Sequence, residues 1–175
     1  MTQEIECFLI GINRVFVLIR FKINEAYVIS ILEVILEFAV QIMEKKSIKF
    51  TAFTEELLNI KELDEYSKEF LLQSLKVDCK PKNTNESNEV IKYLPIIIYT
   101  IGQIIDNLKI NNYDKSYDLV DVIHCLPELL LKKKWNPKDY WKTFIIPYRL
   151  KWDKDFLISM EKETIPKGFF KSILR

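Results

Sequence analysis

Three observations predict an all-α fold, an irregular multi-helix bundle of about six to eight helices. The chain has only 3 glycines in 175 residues. Its first 80 residues contain no proline. Its long apolar runs nowhere show strand alternation bounded by turn residues. Few backbone breakers together with long apolar runs favour long helices and short loops. The length suggests a single domain over 1–175. Such a chain buries roughly 70% of its unfolded surface and needs no metal or disulfide staple.

The first helix is expected over 2–20. Its "CFLIGINRVFVLIRF" is rich in β-branched residues, but it is long and lacks period-two alternation. The second is expected over 25–46, capped by Asn24. It contains the apolar stretch "AYVISILEVILEFAVQIM", which Glu33 and Glu37 interrupt near the middle. Charges are costly in hydrocarbon. Ser30, Glu33, Glu37, Gln41 and Glu44 recur at steps of three and four, so they form one narrow polar stripe. That pattern predicts the central helix of a bundle rather than a membrane span. Thr54 is placed to cap a short helix near 55–61, and Asp64 to cap another reaching about 76. The polar "CKPKNTNESN", 79–88, is the best loop. A long apolar helix follows over about 87–110, and Pro95 either kinks it or marks the first turn of its main part.

A helix over about 113–126 comes next, ended or bent by Pro127, with a short turn to about 132. In "WNPKDYW", Asn136 is placed to cap, Pro137 fits the first helical position and Asp139 suits the positive helix end. That helix runs toward Ile146, where Pro147 interrupts it. "YRLKWDKDFLISMEK" reads as helical again, and the tail after Thr164, with Pro166 and Gly168, as irregular.

Charge argues against one class of function. With 26 Lys+Arg against 25 Asp+Glu there is no global basic field to hold a phosphate backbone. Residues 1–80 carry 10 basic and 13 acidic groups, and residues 81–175 carry 16 and 12, a mild asymmetry. Cys7, Cys79 and Cys125 are scattered and odd in number, which fits neither a disulfide framework nor a zinc pattern. They read as free thiols in a reducing cytoplasm. The opening MTQEIE is acidic where a signal peptide would be basic, so a cytoplasmic location is expected.

The stretch that most resembles a site is "YDLVDVIHCLPELL", 117–130, which holds the only histidine. On a helix, Leu119, Val122, Ile123 and Leu126 share one face, the expected core. Asp114, Asp118 and Asp121 share the opposite face, with Glu128 roughly in line. His124 falls at the margin beside Tyr113, Tyr117 and Val120. Asp118, Asp121 and His124 fan over about 120°, there is no second histidine and no Glu-x-x-His motif occurs, so no metal site is expected. Adjacent His124 and Cys125 point about 100° apart and do not form a nucleophile pair. Phosphate loops, a nucleophile elbow and zinc-hydrolase motifs are absent from the sequence. A non-enzymatic protein without cofactor or catalytic residue is therefore expected. Like charges three and four residues apart slightly destabilise a helix. The acidic line accordingly calls for Lys or Arg, from this chain or from a basic partner.

The next stretch, 131–152, is basic and aromatic. Lys132, Lys133, Lys134, Lys138, Lys142, Arg149 and Lys151 interleave with Trp135, Tyr140, Trp141, Tyr148 and Trp152. Such a mixture can hold single strands by stacking and charge. It also describes a helix with its aromatics inward, since Trp141, Phe144, Ile145 and Tyr148 fall at core spacing. The overall charge gives nucleic acid no support as a partner.

An Asp-x-x-Asp-x-x-His-x-Leu-Pro segment, a Trp/Phe-rich helix and a Pro-Tyr-x-x-x-Trp segment follow one another here. Asp118, Asp121, His124, Leu126 and Pro127 carry the first, and Trp141, Pro147, Tyr148 and Trp152 the others. This succession resembles a group of small helical bacterial proteins, the immunity proteins of contact-dependent growth inhibition and other polymorphic toxin systems. The resemblance covers roughly 113–157, about a quarter of the chain, and Cys125 stands where asparagine is expected. It implies inhibition by binding: a cognate toxin domain occluded in the producing cell, with no catalytic residue required. Many toxin domains that act on RNA or DNA are basic, and an acidic stripe would steer one in. The contacts implied are Asp114, Asp118, Asp121 and Glu128. His124 and Pro127, with Trp141, Tyr148 and Trp152, are implied as a structural motif, in which His124 fixes the bend at Pro127. The alternative is a helical regulatory or nucleic-acid-associated module using 131–152.

Overall fold

The computed structural model describes residues 2–77 and 94–124. All of them fall within one compact unit, Met1–Leu131. Six helices and no strand occur among the described residues, so the fold is all-α. They are α1 (Thr2–Phe21), α2 (Tyr27–Met43), α3 (Phe50–Leu58), α4 (Glu65–Ser74), α5 (Leu94–Lys109) and α6 (Tyr113–His124). The loop expected at 79–88, the helices expected beyond 132, and Glu128, Pro127, Trp141, Tyr148 and Trp152 lie outside the described residues.

The four longer helices close a ring of contacts, α1 to α2, α2 to α5, α5 to α6 and α6 back to α1. The shorter α3 and α4 pack on α1 and on each other, and α3 also meets α2. Two helices share the centre of this bundle. The polar stripe had suggested α2 as the central helix, and α2 does bury Tyr27, Val28, Ile31, Leu32, Ile35, Phe38, Ala39 and Ile42 while exposing Glu33 and Glu37. It is α1, however, that meets α2, α3, α4 and α6. Residues Ile5 to Leu9 of α1 are buried without interruption, so this part of the helix is covered on every side, while Arg14 and Arg20 are exposed. Cys7 is disulfide-bonded, which corrects the expectation of a free thiol at that position. Among the described residues, no helix is long and apolar enough to cross a membrane.

Where α1, α2 and α3 meet, three phenylalanines form one cluster. The Phe53 ring lies edge-on to Phe8 at 4.9 Å and to Phe38 at 5.3 Å between centroids. Edge-to-face pairs add to the burial of the rings themselves.

Helix ends show which starts are set by neighbours in sequence and which are set from afar. Asp64 caps α4 as expected, its Oδ1 accepting from the Ser67 amide at 2.7 Å. Asn24 does not cap α2: Ala26 occupies that position with no side-chain cap, and the chain enters through Glu25 N–H to Lys22 C=O and Val28 N–H to Glu25 C=O bonds. Thr54 does not start α3. It lies inside the helix and its hydroxyl donates back to the Phe50 carbonyl at 3.1 Å. The start is supplied instead by Glu4 of α1, whose Oε2 accepts from the Phe50 amide at 2.6 Å. A carboxylate at a helix N-terminus satisfies an orphan donor and meets the positive end of the dipole.

The Asp64 cap is part of a larger junction. Tyr27 Oη donates to Asp64 Oδ2 at 2.8 Å, and the buried Ser67 Oγ lies 2.9 Å from the same hydroxyl. Lys22 Nζ is 3.7 Å from the carboxylate and sits over the Tyr66 ring. Burial pushes the Tyr27 phenol up to about 12, so it stays a neutral donor. The Ser67 amide, followed by the Tyr27 hydroxyl, holds the Asp64 carboxyl down to about 2. A folded pKa below its unfolded value adds stability that is present above the unfolded pKa and lost as pH falls through the folded one. The urea midpoint should therefore fall between about pH 5 and pH 2. In Asp64→Asn, which keeps a capping oxygen but does not titrate, that fall should be shallower; equal slopes would remove Asp64 as its source.

Two residues other than glycine take positive φ, Lys45 at 60° and Asn111 at 58°. Each follows a helix C-terminus. Lys46 N–H bonds to Gln41 C=O and Lys45 N–H to Ile42 C=O, and Asn112 N–H bonds to Asn107 C=O and Asn111 N–H to Leu108 C=O. Both are Schellman turns, whose left-handed residue is usually glycine or asparagine. Asn111 fits that preference and Lys45 does not. Lys45→Gly is expected to raise stability by about 1 kcal/mol, the steric cost of a left-handed L-residue. Thermal unfolding checks this, and a lower melting temperature would contradict it.

Candidate functional site

The acidic line sits on α6, which the Schellman turn at Asn111 launches. Asn112 opens the helix. Its Oδ1 accepts from the Lys115 amide at 3.4 Å, and its carbonyl accepts from the Ser116 amide and hydroxyl at 3.2 and 2.8 Å. Asparagine is a favoured N-cap for this reason. The helix then buries Ser116, Leu119, Val120 and Ile123, spaced at the three- and four-residue steps of a single stripe. Val120 therefore belongs to the core face, where the sequence had placed it at the margin. The side chain of Val122 and everything from Cys125 onward lie outside the described residues.

Asp114, Asp118 and Asp121 fall within about 60° of one another, on the side opposite that stripe. Asp114 is exposed, while Asp118 and Asp121 are half-buried. Asp121 has a partner within the chain. Arg20 Nε donates to its Oδ1 at 2.8 Å and Nη2 to its Oδ2 at 3.4 Å, a two-pronged contact between the last turn of α1 and α6. The Asp121 hydrogen bond pushes the Arg20 guanidinium further toward its charged form. The Arg20 side chain is exposed and that of Asp121 partly so, and such a surface pair adds little to stability. It does relieve the like-charge repulsion along the line, which sequence reasoning had left for either this chain or a partner. Asp114 is the exposed member of the line, and Asp118 shares its face. His124 is half-buried in the last described turn of α6.

The described part of α6 thus presents a charged helix face. No group of three His, Cys, Asp or Glu side chains close enough to hold a metal occurs among the described residues. An open recess of about 600 Å³ lies between α3 and the chain leaving α4, lined by Phe50, Thr51, Thr54, Glu55, Leu75, Lys76 and Val77. Sequence reasoning missed Arg20, the residue that engages Asp121, because the two stand 101 positions apart. The only local hint is a basic residue in the last turn of α1.

No family model, no curated protein and no solved structure matches this chain.

Proposed function

We propose that this protein is a bacterial immunity protein that binds and neutralises a cognate toxin domain, by contact rather than by catalysis. The observation that carries the reading is the succession of motifs over 113–157 together with the acidic outward face of α6. The charge of the compact unit supports it: residues 1–131 carry 14 Lys+Arg and 20 Asp+Glu. An acidic unit speeds encounter with a basic domain and disfavours like-charged partners. Asp114 and Asp118 are the first contacts in this reading, with Glu128 in line, and Asp121 contributes through its pair with Arg20. His124 is structural, Pro127, Trp141, Tyr148 and Trp152 belong to the same motif, and no cofactor takes part. The reading places the protein in the cytoplasm.

The test is co-expression. The C-terminal domain encoded by the neighbouring gene is induced with and without this protein, and growth is followed. Rescue with co-purification of the two chains is expected. Toxicity without rescue would refute the proposal.

A second reading has its own support. Residues 132–175 carry 12 Lys+Arg and 5 Asp+Glu and hold all 3 tryptophans, so the charge changes sign at the edge of the compact unit. That composition suits stacking on a single-stranded nucleic acid. Salt-sensitive retention on an oligonucleotide, weakened by replacing Lys132, Lys133 and Lys134, is its signature.

A further inference from the structure

The last turn of α1 carries the most exposed large apolar side chain among the described residues, Phe21, at 79%. Its two neighbours fix where it stands. Arg20 reaches α6, where it holds Asp121. Lys22, whose N–H still bonds to the Leu18 carbonyl as in a helix, reaches the start of α4. Its Nζ is 3.7 Å from Asp64 and 5.3 Å from the centre of the Tyr66 ring. Successive residues of a helix point about 100° apart. Phe21 therefore projects from the ridge of α1 between α6 on one side and α4 on the other. Ile19 and Ile23, which fall on the opposite side of the helix, are buried.

A single exposed apolar residue is ordinary on a protein surface. Phe21 is not alone, because the Tyr66 ring under Lys22 is itself 66% exposed. The two cations beside Phe21 are engaged, Arg20 by Asp121 and Lys22 by Asp64, so their side chains are already held in place. A surface ordered in advance loses little entropy on binding. Around it the exposed charge is acidic: Asp114 on α6, Glu25 in the turn after α1 and Glu65 in the first turn of α4. Aromatic residues and arginine at the centre with charge at the rim is the composition of a protein–protein interface. Charge selects the occupant. The compact unit carries 20 Asp+Glu against 14 Lys+Arg, which disfavours nucleic acid, anionic lipid and a second copy of the same unit, and favours a basic protein.

We propose that Phe21 is the apolar anchor of the interface with the toxin domain and inserts into an apolar pocket of that domain, while the acidic line of α6 meets the basic surface around the pocket. The inference rests on the immunity reading for its partner, and it moves the centre of the interface from the carboxylates of α6 to the last turn of α1. The two parts have different signatures. Carboxylates at a rim act on encounter, and their effect fades with salt. A buried apolar anchor acts on dissociation and is insensitive to salt.

Growth rescue by the natural sequence is scored first, in co-expression with the C-terminal domain encoded by the neighbouring gene. That domain is then titrated with the full chain. Phe21→Ala is expected to weaken binding by about ten- to a hundredfold, mainly through faster dissociation and by the same factor at low and high salt. Its melting temperature should stay that of the natural sequence, since the ring faces solvent. Phe21→Leu should keep most of the affinity. Met43 is also exposed, but it ends α2 about 24 Å from Tyr27, the residue that meets Asp64, so Met43→Ala should bind like the natural chain. Rescue by the natural sequence, with Phe21→Ala binding as tightly, would overturn the anchor and leave the immunity reading standing. Absence of rescue by the natural sequence would overturn both. A natural chain that elutes as a dimer, and as a monomer after Phe21→Ala, would give this surface to a second copy and overturn the proposal as well.

Discussion

Phe53→Ala is expected to lower the unfolding free energy by about 3–5 kcal/mol, a large share of what a domain of this size has in reserve. Phe53 is fully buried and its ring touches Phe8 of α1 and Phe38 of α2 at once. Truncation removes the apolar transfer term, leaves a cavity between three helices and deletes two edge-to-face contacts. The cavity has little room to collapse, because α1 is held from its other sides by α4 and α6. Urea unfolding followed by circular dichroism is the measurement, and the slope should stay constant while the midpoint falls. Phe50, three residues earlier, is only half-buried and serves as the comparison. Equal losses at the two positions would show that the cluster is not the joint of the three helices.

Asp114→Lys with Asp118→Lys is expected to weaken toxin binding by about ten- to a hundredfold and to slow association more than it speeds dissociation. The prediction rests on the immunity reading and on the shared helix face of these two carboxylates. A titration of the toxin domain at two ionic strengths measures it. The natural sequence should lose affinity with added salt, and the double variant should lose less. Asp121→Asn is kept separate, because it also breaks the contact with Arg20. Melting curves for every variant separate lost binding from lost folding. An unchanged dissociation constant would make the acidic line ordinary surface.

The parts of this fold legible in the sequence are those set by neighbours within about four residues. The spacing of apolar residues in 26–43 and 113–124 placed α2 and α6, and Asp64 announced α4 because its capping target is three residues away. The helix assigned to 2–20 runs over Thr2–Phe21, close to its expected bounds. The start of α3 was misread because the group that secures it, Glu4, is 46 positions distant, while Thr54 offered a plausible local cap that the chain uses for a back-bond instead. The central place of α1 was hidden for the same reason. How much of a helix is buried depends on which helices arrive, and four different ones reach α1. Within the site, periodicity placed the three aspartates on one face, but nothing local marked Arg20 as the partner of Asp121.

The enclosure of α1 has a consequence for how this chain is made. This helix leaves the ribosome before the four that cover it, and one of them, α6, is about a hundred residues behind it. At about 5–20 residues per second, the interval is roughly 5–20 seconds. Throughout it, Phe8, Leu9, Ile12 and Phe16 have no complete shelter, an apolar surface of the kind that attracts holdase chaperones or other nascent chains. Ribosome-bound chains halted before residue 113 should therefore crosslink to such factors through α1, and chains halted well past residue 124 should release them.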